Sequence, residues 1–194
     1  SAFWFAFLIP NLFRRLFGEG ALSASFLPVY AKIRDKDPRQ AAQLASMLVA
    51  GLMVLLGTLL LIGESILFLV SAARDHGDTA IWLMMITLPY MPLVCLVAML
   101  GAMLQVIGRF GPPAAAPILL NGCIVIVAIV LSLVLVDSEQ SRLISIGSIA
   151  ASVVIAGLLQ AGWMLWALRS EAGWEWNPQA AMGPASTVVR KAMP

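Results

Sequence analysis

Apolar and polar positions in this chain fall into long blocks instead of alternating along strands or marking one helix face. Five apolar runs, each comparable with the ~20 residues a helix needs to cross a bilayer, are separated by short polar stretches. The first covers about residues 2–31, and a polar stretch, residues 32–40 with Pro38, ends it. The second has its apolar body at about residues 45–70, with Glu64 near its far end as a snorkelling or interfacial acid. A polar loop, residues 71–79, follows. The third run, about residues 80–107, holds Pro89 and Pro92, which predict a kink or an unwound turn in its first half. Residues 109–113, Arg-Phe-Gly-Pro-Pro, read as a tight turn before the fourth run, about residues 114–136, with Pro117 and Asn121. A short acidic loop, residues 137–142, leads to the fifth, about residues 143–168. There Gly147 and Ala151, with Ser148 and Ser152 beside them, have the small-xxx-small spacing that lets helices approach closely.

These elements predict an all-α fold, a polytopic transmembrane bundle of about five spanning helices in residues 1–170. Trp163, Trp166 and Arg169 form an interfacial anchor at its end. Residues 171–194 turn polar and read as a surface connector leading to another helix, so the chain is expected to be a piece of a longer protein.

Composition sharpens this picture. With 61% hydrophobic and 11% charged residues, the chain is too apolar for a soluble domain of its length, and its mean hydropathy is +0.94. The net charge of +2 is small and the basic residues are scattered, so nucleic-acid binding has almost no support. Cys95 and Cys123 lie inside apolar runs as packing groups, without metal spacing. His76, the sole histidine, sits in a polar loop without a second ligand nearby. Lys32, Arg34, Lys36, Arg39, Arg109, Arg169, Arg190 and Lys191 fall in one set of alternate loops, and only Arg74 and Arg142 in the other. By the positive-inside rule the first set faces the cytoplasm.

Two of the twelve basic residues remain, and both lie inside the first apolar run. Arg14, Arg15 and Glu19 need partners, water or an anionic ligand there, because an ionised residue at the centre of a spanning helix costs about 2.5 to 3.5 kcal/mol. Arg15 and Glu19, four apart, can pair on one face. Arg14 points about 100° away, without an obvious local acid. Pro10, Gly18 and Gly20 favour a bend at these charges, and a bent, charged helix usually lines a water-filled cavity. A guanidinium is always protonated and presents a planar fork of donors, so Arg14 suits a phosphate, diphosphate or carboxylate. Asn11 and Asn121 are weaker polar candidates, better suited to interhelical hydrogen bonds. Asp35 and Asp37, flanked by lysine and arginine, read as a solvated mixed-charge loop. No nucleophile-base arrangement or phosphate loop points to an enzyme, and no cofactor or metal is expected.

Residues 2–23, from Ala-Phe-Trp-Phe through Asn-Leu-Phe-Arg-Arg-Leu-Phe-Gly-Glu-Gly-Ala-Leu-Ser, resemble the second-helix signature of the MviN/MurJ lipid II flippases. Pro89-Tyr90, Gly101-Ala102, Arg109-Phe110, Pro113-Ala114, Ala116-Pro117 and Leu119-Leu120-Asn121 resemble that family's fourth and fifth helices. Gly157 with Gln160 fits the sixth, and Val188-Val189-Arg190-Lys191 the approach to the seventh. Ser1 and Leu8 depart from the family pattern, standing where Asp and a basic residue occur in relatives.

The resemblance implies most of the first lobe of a two-lobe exporter in the bacterial inner membrane, built around a central cationic cavity. It further implies a transporter that moves lipid II to the outer leaflet by alternating access. Arg14 would hold the diphosphate, with Arg15, Glu19 and Asn11 beside it. Lipid II, membrane lipids and cell-wall synthesis proteins are the implied partners. The alternatives are an exporter of another lipid-linked oligosaccharide, a membrane enzyme acting on polyprenyl-phosphate sugars, and a scaffold without transport activity.

Overall fold

The computed structural model describes residues 21–73, 79–134 and 139–169. Six α-helices account for them: α1 (Ala21–Arg34), α2 (Pro38–Ala73), α3 (Thr79–Thr87), α4 (Tyr90–Val106), α5 (Gly111–Val134) and α6 (Glu139–Leu168). Four spans, Pro38–Ala73, Thr79–Val106, Gly111–Val134 and Leu143–Leu168, are long and apolar enough to cross a membrane. They match the second to fifth apolar runs. The first run is described only from Ala21 onward.

The helices are longer, and the connections shorter, than the polar stretches suggest. α1 runs on to Arg34 and α2 begins at Pro38, so the mixed-charge stretch contributes only a three-residue turn. Asp37 is the reason. Its Oδ1 accepts hydrogen bonds from the backbone N–H groups of Arg39 (3.0 Å) and Gln40 (3.2 Å), capping α2, while Pro38 fills the first helical position, where no donor is missed. The expectation of a merely solvated loop is corrected for this residue. Likewise Gly111, Pro112 and Pro113 form the first turn of α5, and α6 starts at Glu139, inside the expected acidic loop.

Between α4 and α5 the chain turns through a Schellman motif: Gly108 N–H donates to Gln105 O (3.0 Å) and Arg109 N–H to Leu104 O (2.9 Å). Gly108 sits at φ +78°, in the left-handed region, with open space where a Cβ would go. Gly108→Ala is therefore expected to cost about 1 to 2 kcal/mol from backbone strain alone, read as a lower melting temperature with helix content unchanged.

The core lies around α4. Cys95, Leu100, Met103 and Leu104 are fully buried there, against Phe26 and Tyr30 of α1, Leu44 and Leu56 of α2, and Val153, Met164 and Leu168 of α6. Phe26 and Tyr30 stack with ring centroids 5.2 Å apart. α5 packs on α6 and presents Ile118, Ile126, Leu133 and Val134 outward, the apolar face expected of a helix against lipid. The second half of α2 does the same through Leu61, Phe68 and Leu69.

Candidate functional site

The site expected from the sequence, Asn11, Arg14, Arg15 and Glu19, lies outside the described residues. The described residues hold a broken helix, a polar tie between two spans, and a basic cavity at one end of the bundle.

The break falls where the prolines predict it. α3 ends at Thr87 and α4 begins at Tyr90, with Leu88 and Pro89 between them. Pro92 cannot donate to Leu88 O, and the N–H of Met91 does so instead at 2.9 Å. The Thr87 hydroxyl donates to Leu83 O (2.9 Å) and Met84 O (3.3 Å), covering carbonyls just before the break. This is how a discontinuous helix is tolerated at membrane depth. Leu88 packs against Gly63 of α2, and the neighbouring Glu64 has one oxygen, Oε1, covered and without a hydrogen-bond partner among the described residues. The snorkelling expected of Glu64 thus leaves one of its oxygens out of solvent.

The tie joins α5 to α6. Gln160, 3% exposed, donates from Nε2 to the carbonyl of Ala116, one residue before Pro117, while its Oε1 is buried without a partner. Asn121, the asparagine expected to bond between helices, is exposed on α5 and makes no side-chain hydrogen bond to a described residue. Among the described residues, Gln160 makes the side-chain hydrogen bond between these two helices. Composition could not single it out, because one glutamine in an apolar run carries no charge to mark it.

Close packing along α6 depends on small residues, on a face shifted from the expected one. Gly147 lies under the ring of Trp82, Ala150 is fully buried, and Gly157 faces Tyr90 and Leu93. Of the expected set, Gly147 and Ser152 are buried, whereas Ala151 and Ser148 are only partly so.

At the end of the bundle that carries the basic loops, Arg109, Phe110, Trp163, Trp166 and Arg169 line a cavity of about 480 Å³. The sequence marks the last three as an interfacial anchor, but their meeting with the α4–α5 turn depends on a contact between distant parts of the chain.

The family model for the lipid II flippase MurJ matches residues 1–193. Among curated proteins, the chain is 35% identical over 167 residues to a probable lipid II flippase of Bdellovibrio bacteriovorus, covering 80% of this chain and 31% of the relative. It is 30% identical to a probable lipid II flippase of Rickettsia prowazekii, and 30% identical to a lipid II flippase of Burkholderia cenocepacia, each over 82% of this chain and 31% of the relative. The chain thus spans about a third of the length of these relatives.

Proposed function

Since the chain belongs to the MurJ lipid II flippase family, we propose that it forms part of a multi-pass transporter of the bacterial inner membrane. Its cargo is the lipid-linked peptidoglycan precursor lipid II, carried from the inner to the outer leaflet.

The observation that carries this reading is the family match through the segment where two arginines and a glutamate interrupt an apolar run. A diphosphate entering a membrane cavity loses water, and a preorganised guanidinium replaces that hydration with charge-assisted donors. Arg14 takes this role. Arg15 is held by Glu19 on the same helical face, and Asn11 supplies a further polar group. The broken α3–α4 helix supports alternating access, in which one bundle rocks against another about a site formed by discontinuous helices. The segment beyond Arg169 serves as a cytoplasmic connector to the next helix, and cell-wall synthesis proteins are partners of the intact transporter.

The test is depletion of the intact protein in cells, with lipid II at the outer leaflet followed by an externally added reagent that labels it. Outer-leaflet lipid II is expected to fall while the inner-leaflet pool grows. Unchanged lipid II exposure, with another polyprenyl-diphosphate glycan accumulating, would assign the chain to a different exporter.

A further inference from the structure

We propose that the interior of this bundle binds one water molecule, which donates one hydrogen bond to Gln160 Oε1 on α6 and the other to the carbonyl of Pro113 on α5. The water stands in for the backbone donor that Pro117 removes from α5. This site is independent of what the protein transports.

Two acceptors in need of a donor share one turn of the bundle. Gln160 is 3% exposed, and its Nε2 donates to the carbonyl of Ala116, which fixes the amide, because turned over it would set oxygen against oxygen. Its Oε1 is buried with no hydrogen-bond partner among the described residues. The second acceptor follows from covalent chemistry. Pro117 lies inside α5 and has no N–H, so the carbonyl of Pro113, four residues earlier, is denied its helical donor. Helical carbonyls point toward the C-terminus, and that of Pro113 therefore opens toward Ala116 and Pro117, the turn on which the Gln160 amide rests. Pro113 itself packs over Gly101 of α4 together with Met164 of α6: a Cβ at Gly101 would lie 3.4 Å from Pro113 Cβ and 3.7 Å from Met164 Cε. Met164 is one turn beyond Gln160 on the same helix.

The chemistry of the site selects its occupant. Two acceptors call for a molecule with two donors, and water is the smallest that has them. The buried side chains nearby, Ala116, Ala156, Ala161 and Met164, are apolar, and the N–H groups of α4 and α6 at this depth serve their own helices. Within a bilayer a bare acceptor forfeits its hydration, and lipid returns none of it. Bound here, the water lets α5 bend at Pro117 without baring its backbone. It also gives Gln160 a part that no apolar residue can fill, as donor to one carbonyl and acceptor for the water beside another.

Hydroxyl-radical footprinting of the intact protein in detergent tests the site. X-rays generate the radicals from water wherever it lies, bound water included, and methionine oxidation is read by mass spectrometry of the peptides. Met164 is 1% exposed and Met103 of α4 fully buried, so bulk water reaches neither, and a water held beside Gln160 sets them apart. In wild type Met164 is expected to oxidise several-fold faster than Met103. Gln160→Leu, which removes the acceptor, should bring Met164 down to the Met103 rate. Pro117→Ala, which returns an N–H to Pro113, should lower it in part. Equal oxidation of the two methionines in wild type would overturn the proposal, as would fast oxidation of Met164 that persists in Gln160→Leu with an unchanged melting temperature. The wild-type comparison decides the matter even if neither variant folds.

Discussion

Arg14→Ala in the intact protein is expected to abolish growth-supporting lipid II translocation, with outer-leaflet exposure falling about 100-fold, while expression and melting temperature stay near wild type. One charge-assisted hydrogen bond contributes about 1.5 to 3 kcal/mol, and a bidentate contact to a diphosphate makes two. Removing a cation that has no local acid also relieves the protein of an unpaired charge in the membrane, so folding should not suffer. Arg15→Ala behaves differently. By the proposed pairing it leaves Glu19 without a counter-charge in an apolar segment, and the expected result is lower stability with lipid II recognition retained. Loss of translocation together with loss of expression in both variants would instead assign the pair to folding.

Gly157→Val is expected to lower the apparent melting temperature of the intact protein by several degrees, whereas Gly162→Ala, one and a half turns along the same helix, should leave it unchanged or raise it. The two glycines differ in what surrounds them. A Cβ at Gly157 would lie 2.9 Å from Tyr90 Cδ2, 3.0 Å from Cε2 and 3.2 Å from Leu93 Cβ, and Tyr90 is buried and cannot swing aside. Overpacking of this kind costs about 1 to 3 kcal/mol, and valine adds two further methyl groups. At Gly162 nothing lies within 4 Å, and alanine gains up to about 1 kcal/mol in helix propensity. Equal shifts in the two variants would mean that α4 and α6 do not pack through Gly157.

Which parts were legible in the sequence follows from how membrane helices are encoded. Length and apolarity alone placed the spans, and Pro89 with Pro92 placed the break between α3 and α4, because a missing donor acts locally. Helix ends were less visible. Polar residues such as Gln40 and Gln140 extend a helix beyond its apolar body, and Asp37 caps α2 through a bond that mixed charge does not announce. Packing faces were hardest to read. A helix apolar all round has no polar face to mark its buried one, so Ala150 could not be told from Ala151, nor the role of Gln160 from that of Asn121. The basic cavity needed Arg109 and Ala167 to meet, a contact across distant sequence that no local pattern encodes. For the charged segment, Asn11 to Glu19, the reading rests on the cost of charge in an apolar run and on the family match through it.

The central claim is that Arg14 is the headgroup ligand, and lipid II binding to the intact protein by native mass spectrometry tests it most directly, comparing wild type with Arg14→Ala and Arg15→Ala. Loss of lipid II from Arg14→Ala alone, with the protein folded, is the predicted result. Wild-type binding by both variants would contradict it, leaving Arg14 a structural residue and the diphosphate to be held elsewhere.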